Sequence, residues 1–304
     1  MRDASQPETS MTAGVDDTGP GDREAHKGSA RGPDPRALHW RTNMMSLLGA
    51  ATRPLTQTIG RAAVAQVSEA AVIAALAAMA PLGRAGASVE RAVDALAPIA
   101  RTIAPAAFPV LLVHGLGGTK SCWFALARAL RDRSMIVDAI NYPPFGTSVE
   151  QVADQLTARV ERLLAETGAD KVHLIGHSLG GIVIAQAFAD GRLDGQVDTV
   201  VTIATPFGGS PWANLCPFGA TVRALRAGSP LLRRLAAAPH PDGVRWLAFT
   251  GTLDLIVPGR RSVPRHAEVQ TVTVDDVGHI GMLLSPLVVD RIVAALPAPE
   301  QAVA

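Results

Sequence analysis

Cysteine is almost absent from this chain: Cys122 and Cys216 are the two copies in 304 residues. Two thiols cannot build a metal cluster or the disulfide-dense scaffold of a small secreted domain, so they read as isolated thiols, with a single bridge as the alternative. Lysine is nearly as scarce, standing only at positions 27, 120 and 171, so the basic residues are almost all arginine. Formal net charge is +1 and the basic residues are scattered, a distribution without the footprint of a nucleic-acid binder. No charged segment followed by an apolar run and a cleavage site opens the chain, so a standard signal peptide is not expected. The location this suggests is cytoplasmic or peripherally membrane-associated.

Length allows one substantial core plus an appendage. Residues 1–40 are rich in Asp, Arg, Gly, Ser, Thr and Pro, too polar to offset their ordering entropy by burial, and read as a disordered tail. Residues 41–106 are Ala-rich and helix-favouring, with Val64, Val67, Ile73, Leu76 and Met79 forming an apolar face. Gln66, Ser68 and Glu69 disfavour a membrane span there. A helical extension packed on the core is expected, with an interfacial anchor touching a membrane periphery as the alternative. The main folded unit is placed at 107–297, and 298–304 is a C-terminal tail.

Within that unit, Gly176-His177-Ser178-Leu179-Gly180 follows the apolar run Val172–Ile175 and opens an Ala- and Val-rich helical pattern. A serine at such a strand-to-helix turn sits on a tight elbow with its Oγ lifted above the sheet, the position of a nucleophile. Upstream, the run 108–113 ends in His114-Gly115-Leu116-Gly117-Gly118, a turn whose Leu116 amide can point at a developing oxyanion, with the Leu179 amide as the second donor. Downstream, Asp254 follows the strand expected at 244–250, and His279 follows the strand expected at 269–274. The chain order is Ser, Asp, His.

The remaining elements alternate. Strands are expected at 135–140 and 197–204, and a helix from Val149 carries the capping box Ser148-x-x-Gln151 and ends at Gly168. Apolar runs this continuous argue for a mostly parallel central sheet covered by helices on both faces, an α/β architecture. The section 211–241 interrupts the alternation and reads as a short helical cap over a pocket, or as a plain crossover helix.

Together the elbow, the glycine-rich turn and the triad order resemble the α/β-hydrolase superfamily, and within it bacterial lipases and esterases. Ile203-Ala204-Thr205-Pro206-Phe207-Gly208-Gly209-Ser210-Pro211-Trp212 is similar to the Thr-Pro-x-x-Gly-Ser segment of those lipases. The resemblance covers about residues 107–297. It implies an α/β-hydrolase fold and a catalytic triad of Ser178, Asp254 and His279. Asp254 is preferred over Asp275 and Asp276 because its loop is where that fold places the acid. His114 and His177 are expected to shape their turns, and His26, His39, His173, His240 and His266 lack the paired spacing of a metal set. Neither metal nor organic cofactor is required.

The resemblance also implies carboxylic ester or lipid substrates with apolar acyl chains, cleaved through an acyl-enzyme. Phe145, Phe207, Trp212, Leu255 and Ile256, along with Leu116, are the residues expected at the mouth. A thioesterase or acyltransferase would use the same triad, and a non-catalytic binding protein on this fold is the distant alternative.

Overall fold

The computed structural model describes residues 108–143, 146–215, 219–265 and 268–297. The expected N-terminal tail, helical extension and C-terminal tail, together with Phe145 and Cys216, lie outside the described residues. Four-residue β1 (Val110–Val113) is wholly buried, as its uninterrupted apolar sequence requires. A short 3-10 helix, Lys120–Trp123, leads into α1 (Phe124–Arg131), and β2 (Val137–Ile140) follows.

Helix α2 (Val149–Thr167) begins with the capping box in full. The Ser148 hydroxyl accepts from the Gln151 amide, and the Gln151 side chain accepts from the Ser148 amide. It ends on Gly168, whose φ of 71° is the left-handed conformation that closes a helix cheaply only for glycine. Strand β3 (Val172–His177) runs through Ser178 into α3 (Leu179–Ala189), a helix apolar nearly all round and correspondingly buried. After β4 (Val197–Ile203) come three short helices, α4 (Trp212–Leu215), α5 (Ala220–Ala224) and α6 (Pro230–Ala237). Strand β5 (Arg245–Gly251), β6 (Gln270–Val274) and α7 (Pro286–Ala295) complete the order.

The six strands form one parallel sheet in the order β2-β1-β3-β4-β5-β6. Alternating side chains of β1 show why both faces are dry. Leu111 and Val113 pack with α2 and α3, whereas Val110 and Leu112 pack with α1 and α7. All six carboxyl ends point to one edge, and the loops that leave it carry the candidate residues. Among the described residues no helix is long and apolar enough to cross a membrane.

Candidate active site

Ser178 occupies the turn between β3 and α3 with φ 51° and ψ −117°, a conformation a side-chain-bearing residue adopts only under constraint. The constraint is close packing. A Cβ on Gly180 would come within 2.1 Å of the Val113 carbonyl oxygen, so the elbow fits only with glycine there. The Ser178 amide donates to the Ile203 carbonyl at 2.8 Å, tying the elbow to β4.

His279 and Asp254 meet across the same edge of the sheet. The His279 Nδ1–H donates to Asp254 Oδ2 at 2.8 Å, and both side chains are almost wholly buried. Asp254 Oδ1 accepts from the Ile256 and Val257 amides at 2.9 and 2.7 Å, so the carboxylate has a fixed orientation as well as an imidazole partner. With Nδ1 protonated, His279 Nε2 carries the free lone pair. Ser178 and His279 line one cavity. No hydrogen bond joins them in this structure. Asp275 and Asp276, the competing acids, are exposed.

The glycine-rich turn is built from β1. Its Gly118 amide donates to the Gly115 carbonyl at 3.1 Å. Among the described residues neither the Leu116 nor the Leu179 amide donates to a backbone carbonyl, which leaves both available to an oxyanion. Leu179 is also the first residue of α3, where the helix dipole favours negative charge.

His114 supports this turn from beneath. Its Nδ1–H donates to the Gly115 carbonyl at 2.8 Å, and its Nε2 accepts from the Tyr142 amide at 3.3 Å. The Tyr142 ring stacks on it at 4.1 Å, and the Tyr142 hydroxyl donates to the His114 carbonyl. Burial lowers the His114 pKa, so the ring stays neutral, as that hydrogen-bond pattern demands. Tyr142 is the chain's single tyrosine and escaped the sequence reading. The signal that could have found it is register: β2 lies beside β1 in parallel, so the residues just past their ends adjoin.

The cavity measures about 530 Å³. Trp212 and Ala213 of α4, Val222 of α5 and Leu225 form part of its wall, with Ile256 and Val257 opposite the turn residues. Cys122 also lines it as a free thiol, its pKa pushed by burial up to about 12. The residues expected at the mouth divide. Leu116, Trp212 and Ile256 line the cavity, whereas Leu255 and Phe207 do not. Leu255 exposes its side chain, and its carbonyl accepts the Trp212 indole N–H at 3.1 Å. Phe207 instead turns onto the edge of Trp246 at 6.2 Å and lines a void of about 30 Å³, water-sized. An apolar cluster of Phe188 and Trp246 already sits there, and burying the ring against it outweighs exposure at the mouth.

Section 211–241 contributes both to the cavity wall and to the core. Helices α4 and α5 wall the cavity, while α6 buries Leu231, Leu232 and Leu235 against the core that includes α3.

Residues 110–249 match the family model described as "Alpha/beta hydrolase family". The chain is 36% identical over 157 residues to a triacylglycerol lipase of Burkholderia plantarii, covering 49% of this chain and 43% of that protein. It is 36% identical over 123 residues to a triacylglycerol lipase of Pseudarthrobacter phenanthrenivorans, 38% of each chain. The chain thus spans less than half the length of these curated relatives. Among solved structures, the mature lipase BlEst2 of Bacillus licheniformis superposes with a TM-score of 0.54 at 19% identity, over 62% of this chain and 91% of that one. That likeness shows the fold.

Proposed function

We propose, from the match of residues 110–249 to the alpha/beta hydrolase family model, that this chain is a serine hydrolase of carboxylic esters with apolar acyl chains. One observation carries the reading. The His279 Nδ1–H on a buried, doubly amide-bonded Asp254 leaves Nε2 basic in the cavity that Ser178 enters from a strained elbow.

In this mechanism Ser178 Oγ attacks the ester carbonyl while His279 Nε2 takes its proton. Asp254 holds the tautomer and stabilises the imidazolium. The carbonyl oxygen becomes an oxyanion between the Leu116 and Leu179 amides. Collapse breaks the bond to the alcohol, which leaves with the proton from His279 and frees an acyl-Ser178 ester. Water then attacks that ester, giving its proton to His279, and Ser178 leaves with it as the acid is released. The apolar walls from Trp212, Val222, Leu225 and Ile256 supply a place for the acyl chain.

Labelling of the full chain with a fluorophosphonate, followed by peptide mapping, tests the nucleophile. The label is expected on Ser178, and Ser178→Ala is expected to lower ester turnover on the order of 10⁴-fold or more. Near-wild-type hydrolysis by that variant removes the mechanism. A panel of acyl esters and thioesters with graded chains separates hydrolysis of esters from thioesterase or acyl-transfer chemistry.

A peripheral membrane contact through residues 41–106 belongs to the same reading. It is supported by the apolar face of that segment in the sequence. On the anchor alternative the full chain is expected to co-sediment with phospholipid vesicles, and a chain that stays in the supernatant discards the contact and leaves the packed extension.

A further inference from the structure

His177 precedes the candidate nucleophile, is 3% exposed, and has no part in the mechanism above. Its Nε2–H donates to the main-chain carbonyl of His279 at 3.1 Å, across 102 residues of sequence. Its other nitrogen faces the oxyanion turn, for a Cβ built on Gly115 would stand 2.9 Å from His177 Nδ1. The His177 and His279 rings lie 4.9 Å apart. One side chain therefore touches the turn holding Leu116, the elbow holding Ser178 and the loop holding His279.

Resting on the esterase reading, we propose that His177 is a positioning residue, whose Nε2–H to the His279 carbonyl sets the catalytic imidazole against Ser178. The physical argument is one of constraint. Asp254 fixes His279 at Nδ1, and the Leu253 and Met282 amides hold the preceding Val277 and Gly278 carbonyls at 3.3 Å, but none of these contacts holds the His279 peptide itself. The loop around His279 joins the edge strand β6 to a short 3-10 helix, Gly281–Leu283, and starts from the exposed Asp275 and Asp276. Holding the His279 carbonyl closes the second end. The anchor is rigid because it belongs to β3, at the centre of the sheet between β1 and β4.

The arrangement also suits a neighbour that becomes positively charged. Burial first, and the proximity of His279 second, keep the His177 pKa well below its usual value. A neutral Nε2–H tautomer donates to the carbonyl without opposing the imidazolium that forms at His279 during turnover.

The test compares His177→Phe, which keeps a planar ring and loses the donor, with His177→Gln, which keeps an N–H donor. The Phe variant is expected to lose kcat on the order of 10²-fold with KM little changed, because misplacement by a fraction of a bond length acts on the transition state. The Gln variant is expected to recover most of that loss at equal thermal stability. Wild-type kcat in the Phe variant, or Gln as impaired as Phe, overturns the proposal. Where a variant does not fold, nitrogen NMR of the histidine rings in the wild-type chain decides. A neutral His177 protonated at Nε2 is expected near pH 7, and an Nδ1–H tautomer or a charged ring overturns it. A wild-type chain that hydrolyses no ester and takes no fluorophosphonate removes the esterase reading, while the NMR result stands or falls separately.

Discussion

Asp254 accepts from two backbone amides and one imidazole, and each bond has a different consequence on substitution. In Asp254→Asn the side-chain oxygen still accepts from the Ile256 and Val257 amides. The side-chain NH₂ then faces Nδ1 and stabilises the tautomer with Nε2 protonated, which cannot take the Ser178 proton. Turnover is expected to fall on the order of 10⁴-fold with the fold intact. Asp276→Asn is expected to have little effect, since that residue is exposed and His279 already has its carboxylate. Steady-state kinetics on both variants checks the assignment, and the opposite ranking moves the acid to the loop after β6. A backbone effect operates nearby. Ala204 is fully buried and holds a φ of 52° at the end of β4, a conformation costly for a residue with a Cβ. Ala204→Gly relieves that strain while adding unfolded-chain entropy of about 0.5–1 kcal/mol, so urea unfolding is expected to show a small change or a gain in stability. A loss of several kcal/mol would show that the Ala204 methyl, and not backbone strain, dominates.

Short helices α4 and α5 are the elements that decide what the cavity holds. Val222 and Leu225 face it from this segment, so Val222→Trp fills space that an acyl chain would otherwise occupy. On the esterase reading, that variant is expected to retain hydrolysis of short acyl esters and lose it for long ones, measured as kcat/KM across graded chains. Uniform loss at every chain length would place the acyl chain elsewhere. The centre of the sheet was legible in the sequence because β1 and β3 are short, largely apolar runs that lead into glycine-bearing turns, whereas the edge strand β6 alternates polar and apolar residues. The capping box at Ser148 was legible because its chemistry is local. Section 211–241 was less so. Val222 and Leu235 have the same apolar character in sequence and join the same core cluster, yet of the two only Val222 also lines the cavity. Phe207 failed for the same reason, since its proximity to the Thr205-Pro206 turn says nothing of the aromatic cluster that captures it. The hydrogen bond from His177 to the His279 carbonyl joins residues distant in the chain, and only the closed sheet brings them together.

At the scale of the whole molecule, three buried histidines make stability depend on pH. Burial is the largest cause lowering the pKa of His114, His173 and His177, and for His173 the value falls from 6.5 to about 4. His173 is fully buried in β3, with Nδ1 3.4 Å from Asp198 Oδ2 but outside hydrogen-bond geometry, and Nε2 without a partner. The Asp198 charge raises its pKa and the Arg245 charge lowers it, both less than burial does. In the unfolded chain this imidazole takes up a proton near pH 6.5, whereas in the folded chain it resists until about pH 4. Between those limits the unfolded state binds more protons, so stability is fully present above pH 6.5 and is lost as pH falls. The slope from one such group is about 1.4 kcal/mol per pH unit, and it flattens below the folded pKa. Urea unfolding from pH 7.5 to 5 is therefore expected to show a steep loss of stability. His173→Phe is expected to make that loss shallower, and to cost little at pH 7.5, since neither ring nitrogen gives up a hydrogen bond. An unchanged pH slope in the variant would show that His173 is not the proton acceptor, and would transfer the acid sensitivity to His114 and His177 beneath the candidate active site.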